Sequence, residues 1–191
     1  MVVETRTRVS VVAKALALLW VVEVVDWLVL GGALDGLGVR PRSLGGLLGV
    51  ALAPFLHGGL AHLVANTVPF AVLGFLASGR KVLDFWVVSV ASAVFAGLGV
   101  WLLGAAGTVH IGASGVVFGY LGFLMGRGLF ERRAGAIVLS LVVTLLFGGM
   151  LLGALPLVGA GVSWLGHLFG WIGGLVTAGV LGRELRRRRG R

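Results

Sequence analysis

Four polar residues of this chain stand in apolar surroundings, and their types suit acyl transfer. Ser114 opens an apolar run within Gly112-Ala113-Ser114-Gly115, and His167 lies in a second run, Gly166-His167-Leu168-Phe169-Gly170. His62 and Asn66 share a third, four residues apart. A serine hydroxyl is a weak nucleophile until a base accepts its proton, a task suited to neutral histidine. Acyl transfer also needs donors for the developing oxyanion. At i, i+4 spacing His62 and Asn66 project from one helical face, and Asn66 carries amide donors. A helix starting at Ser114 would add a backbone N–H. No acidic residue lies at this depth near Ser114 or His167, so the pattern predicts a Ser–His dyad, not a triad.

These residues must be positioned by membrane helices. Of 191 residues, 58% are hydrophobic and only 12% charged, with a mean hydropathy of +1.06. That balance excludes an ordinary soluble domain. The length suits a single membrane domain over 1–191. There are 34 glycines, which in a membrane protein favour close helix packing, and no cysteine, which removes disulfides, thiolate nucleophiles and Cys-based metal sites. Six apolar segments emerge, at about 9–31, 58–78, 83–104, 112–126, 134–154 and 162–182. The first resembles a signal sequence, but it is long and carries Lys14, Glu23 and Asp26, so an uncleaved span is expected. The external loop 32–57 contains an apolar stretch, Leu44–Leu56, too short to span and suited to an interfacial or re-entrant position.

Charge sets the expected orientation. Arg6, Arg8, Arg80, Lys81, Arg127, Arg132, Arg133 and the basic residues of the tail 183–191 make thirteen basic residues at one set of ends. The opposite ends hold only Arg40 and Arg42. The positive-inside rule then predicts both termini in the cytoplasm. The net charge of +9 is thereby accounted for as a topology signal beside anionic lipid, and no nucleic-acid partner is implied.

With that orientation, depth follows from helix rise. Ser114 precedes Arg127 by 13 residues, or ~20 Å; the apolar run is therefore expected to form a short fourth helix starting part-way down the membrane. Similar counting puts His167 ~24 Å above Arg183, and His62 and Asn66 ~27 and ~21 Å above Arg80. The four residues share one layer in the outer half of the membrane, where polar groups normally face the bundle interior or a wet cavity. Gly115 and Gly119 on the fourth segment, and Gly166, Gly170 and Gly174 on the sixth, form small-xxx-small faces for close contact. A lone membrane serine ordinarily bonds its own helix backbone; the conjunction of the four points to a site.

Together these residues resemble the rhomboid family of intramembrane serine proteases. The matching elements are His57-Gly-Gly-Leu-Ala-His62-Leu-Val-Ala-Asn66, Gly112-Ala-Ser114-Gly115 and His167-Leu-Phe-Gly170-Trp-Ile-Gly-Gly174, in the family's order and on the family's second, fourth and sixth helices. The resemblance implies an all-α, six-span bundle. It implies Ser114 as nucleophile, His167 as general base, and His62, Asn66 and the Ser114 N–H as oxyanion hole. His57, Gly112, Gly115, Phe118 and Gly170 would support the site. The implied reaction is hydrolysis of a peptide bond in or beside a transmembrane helix of a membrane-protein substrate, with no metal or organic cofactor. The fifth span and the loop 155–162 would be gate and cap, and the site would open to the extracytoplasmic side.

The chain departs from the family pattern in two places. Many members have tyrosine four residues after the nucleophile, stacked on the histidine; here it is Phe118, and Tyr120 lies too far around the helix to replace it. The Trp-Arg pair common in the first loop is not evident, and Arg40-Pro41-Arg42 is the nearest basic feature. Glu23 and Asp26 read as a polar face of the first span, directed toward the bundle or the external interface, and His110 as a wet loop residue. Two other readings use the same polar layer: a non-catalytic membrane-protein binder or chaperone, and a transporter. The transporter reading leaves the Gly112–Gly115 motif unused and finds no inverted repeat.

Overall fold

The computed structural model describes residues 2–157, 159 and 161–189. Val158 and Ala160 of the expected cap, and Arg191 of the tail, lie outside the described residues. The described residues are helical apart from their connections: α1 Val2–Val25, α2 Leu48–Leu52, α3 Leu60–Ala77, α4 Val82–Leu103, α5 Ser114–Glu131, α6 Ala134–Phe147 and α7 Trp164–Arg189. A π-helical turn, Asp26–Leu30, extends α1, and a 3-10 stretch, Gly148–Ala154, extends α6. Four helical segments are long and apolar enough to cross a membrane: Leu60–Ala77, Val82–Leu103, Ala134–Ala154 and Trp164–Arg188. The apolar part of the first loop forms a shorter helical segment, Gly45–Phe55.

Helix α5 is the axis of the bundle. Every residue from Gly115 to Leu124 is buried, and α5 packs most extensively on α7 and then on α6, α4 and α3. A helix apolar and buried all round belongs at the centre of a bundle. Helix α6 is the opposite case: Leu145 is 83% exposed and Leu141 and Leu146 also face outward, as an apolar helix bordering lipid would.

Glycine makes the α5–α7 contact. A Cβ on Gly170 would collide with the carbonyl oxygen of Gly115, and one on Gly174 with that of Gly119. In a membrane, such close backbone approach is where packing energy between helices comes from.

The expectation of a short fourth helix needs correction. The apolar run stops at Gly126, but α5 continues to Glu131 and is 18 residues long, the same as α3. Arg127 and Glu131 hold its last turn together by an ion pair of 2.6 Å, both side chains largely buried. A matching pair, Arg80–Asp84, also at 2.6 Å, lies at the start of α4. Glu131 is followed by Arg132 in the left-handed region (φ 52°), which ends the helix. The first helix likewise starts earlier than the apolar run, at Val2, and the last runs on to Arg189.

The first loop is pinned without a Trp-Arg pair. The Arg42 guanidinium donates to the carbonyls of Leu102 and Gly104 at the end of α4, at 3.3 and 2.9 Å. Trp101 Nε1 donates to the Ser43 carbonyl at 2.8 Å. A cation at a helix C-terminus both satisfies carbonyls left without partners and complements the dipole.

Candidate active site

The chain turns into α5 at Gly112, whose φ of +114° is a conformation that favours glycine. A Cβ there would also run into the His62 ring. The segment before Ser114 is held from three sides: Val39 and His110 exchange both backbone hydrogen bonds at 2.9 and 3.0 Å, the Gly112 N–H donates to the Ala53 carbonyl at 2.8 Å, and the Ala113 N–H donates to His57 Nε2 at 3.3 Å. Ser114 is the first residue of α5, so backbone N–H groups at this point have no intrahelical acceptor.

Ser114 Oγ lies 2.9 Å from His167 Nε2. On the other edge of the ring, His167 Nδ1 lies 2.8 Å from the Gly153 carbonyl oxygen. A carbonyl only accepts, so Nδ1 carries the proton and Nε2 is the bare nitrogen that accepts a hydrogen bond from the Ser114 hydroxyl. Phe118, one turn after Ser114, stacks on the His167 ring with centroids 4.1 Å apart and planes 6° from parallel. The ring is thereby fixed in position, plane and tautomer.

His62, Asn66, Ser114, Phe118 and His167 line one cavity of about 300 Å³. His62 Nδ1 accepts from the Gly58 N–H at 3.4 Å, which leaves its Nε2–H for the cavity. Asn66 Nδ2 donates one proton to the His62 carbonyl at 3.0 Å; an amide has a second. His57 is buried behind the cavity, its ring edge-on to His62 at 5.1 Å. Burial, and then the neighbouring His62, push the His57 imidazole down to about 4, so it is neutral. Gly115 and Gly170 sit in the α5–α7 contact beneath Ser114. Tyr120 points away into the core, where its hydroxyl pairs with Ser89 at 2.6 Å.

Glu23 and Asp26 are both buried. The Glu23 carboxylate lies near the backbone N–H groups of His57 and Gly59, in the turn that leads into α3. Asp26 Oδ1 accepts from the Leu34 N–H at 3.0 Å. Among the described residues, no group of three or more His, Asp or Glu side chains converges as a metal site would. Two participants carry no mark in the sequence as read. The Gly153 carbonyl is a backbone group with no residue-type signature, and Ser163, bonded to His110 at 2.7 Å, is marked only by its place just before α7.

The Rhomboid domain family model matches residues 45–184, the stretch that holds every residue of this cavity. The chain belongs to the rhomboid family. With its long apolar helices, this rhomboid is a multi-pass membrane protein. It is similar to an uncharacterized protein of Mycobacterium tuberculosis, with 46% identity over 180 residues covering 91% of this chain and 75% of the relative. A Mycobacterium leprae protein, also uncharacterized, is 42% identical over 181 residues, covering 91% and 71%. A Bacillus subtilis protein bearing the name "Putative rhomboid protease YdcA" is 26% identical over 137 residues, covering 70% of this rhomboid and 66% of that protein.

Proposed function

We propose that this rhomboid is an intramembrane serine endopeptidase that cleaves membrane-protein substrates within or beside a transmembrane helix. The observation that carries the reading is the Ser114–His167 contact, 2.9 Å from Oγ to Nε2, with the ring held from behind by Gly153. Ser114 Oγ attacks the scissile carbonyl carbon while its proton passes to His167 Nε2. The carbonyl oxygen becomes an oxyanion facing the Ser114 N–H, the His62 Nε2–H and the remaining Asn66 N–H. Collapse breaks the C–N bond, and His167 returns the proton to the leaving amine. The acyl ester on Ser114 is then attacked by water, which gives a proton to His167; that proton returns to Ser114 as the acid product leaves. No group beyond the protein and water enters this balance.

Six spans complete the topology: the four long apolar helices, α1, and α5 at the centre. Both termini face the cytoplasm, by the surplus of basic residues at those ends, and the cavity opens to the other side. The test is purified protein in liposomes with a single-span reporter. Cleavage by wild type that disappears in Ser114→Ala and in His167→Ala is expected; cleavage undiminished in both sinks the reading.

A further inference from the structure

A second Ser–His pair lies beside the first. His110 Nδ1 is 2.7 Å from Ser163 Oγ, and the two residues are 53 apart in sequence. Ser114 and His167 are also 53 apart. Each member of the catalytic pair therefore follows a member of the second pair by four residues: Ser114 follows His110, and His167 follows Ser163. The two pairs are rungs between the same two segments, the approach to α5 and the start of α7.

We propose that His110 is a positioning residue for this reaction, which through Ser163 sets the approach of α7, and with it His167, to Ser114. The inference rests on the catalytic reading above and adds a further residue to the same site. Its hydrogen-bond polarity follows from geometry. Thr108 Oγ1 donates its single proton to the Ala105 carbonyl at 2.7 Å, so toward His110 Nε2, at 2.8 Å, it acts as acceptor. Nε2 then carries the His110 proton, and the bare Nδ1 accepts the Ser163 hydroxyl. Burial lowers the pKa of this loop histidine and keeps the ring neutral, as that arrangement requires.

Both ends of the bond reach the dyad through short backbone links. Ser163 O accepts the His167 N–H at 3.0 Å, the first intrahelical bond from the base. Ser163 stands at the N-terminal boundary of α7, where a serine ordinarily turns its hydroxyl onto the helix's own N–H groups; here the hydroxyl is bonded to His110. At the other end, His110 is paired by backbone to Val39 in the first loop, which is fixed to α4 by Arg42 and Trp101. A shift of about 1 Å between nucleophile and base can cost ~100-fold in rate, so a brace four residues from each is placed to matter.

The test compares His110→Phe, which keeps a planar ring and removes both side-chain hydrogen bonds, with Ser163→Ala and the double variant. The readouts are the rate at which a fluorophosphonate labels Ser114, located by mass spectrometry, and kcat and KM for a single-span reporter in liposomes. Each single variant is expected to lower labelling rate and kcat by about tenfold with KM within about twofold, and the double variant to be no slower than the singles, since each breaks the same His110–Ser163 bond. His110→Asn, whose amide oxygen falls near the place of Nδ1, is expected to recover part of the rate. Wild-type labelling and kcat in His110→Phe and Ser163→Ala, or losses that multiply in the double variant, overturn the positioning role and leave the dyad standing. Labelling and cleavage that persist in Ser114→Ala overturn the catalytic reading itself.

Discussion

His167 is held from behind by a backbone carbonyl, that of Gly153, at 2.8 Å from Nδ1. In serine hydrolases of the triad type a carboxylate takes this place. The carbonyl fixes the same tautomer without placing a full charge in an apolar bundle, where an unpaired carboxylate would be costly. It also ties the base to the 3-10 end of α6.

Gly153 should therefore tolerate only small changes. A Cβ there would lie 3.3 Å from Phe118 Cζ and 3.4 Å from His167 Nδ1. Gly153→Ala is expected to lower kcat a few-fold, and Gly153→Val by about a hundredfold as the ring is displaced. Equal kcat in the two variants would show that the site does not depend on this spacing.

Phe118 offers a second gradation. Its ring covers His167 face to face at 4.1 Å. Phe118→Tyr is expected to retain kcat within about twofold, and Phe118→Ala to lose about tenfold, because a stacked aromatic contact is worth about 0.5–1.5 kcal/mol beyond its area. Reporter turnover with matched protein folding, checked by circular dichroism, decides it.

Gly170 should be intolerant for stability and not only for rate. Any side chain meets the Gly115 carbonyl, and overpacking of this kind costs about 1–3 kcal/mol. Gly170→Val is expected to lower the thermal midpoint in detergent, whereas Gly135→Ala, where a Cβ meets nothing within 4 Å, is expected to leave it unchanged. An unchanged midpoint in Gly170→Val would contradict the close α5–α7 contact.

Much of this was legible in the residues. The polar layer could be counted by helix rise, and the Gly170 and Gly174 face announced a close contact. The length of α5 was not: Arg127 reads as the end of an apolar run, and only its pairing with Glu131 four residues on carries the helix through two charges. The carbonyl that orients His167 had no residue type to betray it. His110 and Ser163 stand 53 residues apart, and only the geometry of the folded chain makes them partners.

His57 gives the protein a pH dependence. Its imidazole, held down to about 4 against an ordinary value of 6.5, is neutral in the fold. Between those values the unfolded chain binds the proton and the folded one does not. Stability is then lost progressively as pH falls from about 6.5 to about 4, by at most about 3.5 kcal/mol at about 1.4 kcal/mol per pKa unit. Asp35 works in the opposite sense: burial, with Asp26 and Glu23 nearby, raises it to about 6, so protonation below that pH favours the fold. The measurement is accordingly the difference between wild type and His57→Gln. The variant's thermal midpoint is expected to fall less between pH 7 and pH 4.5; parallel curves would contradict a neutral buried His57.

Ser114 and His167 lie 53 residues apart, on α5 and on α7, the last of the seven α-helices among the described residues. On the proposed reading, a chain still being synthesised carries Ser114 into the bilayer before His167 is there to take its proton. Hydrolytic competence arrives only when α7 is inserted and docked. A protein that cuts membrane helices is thus harmless to its own helices, and to others entering the membrane beside it, for as long as it is incomplete.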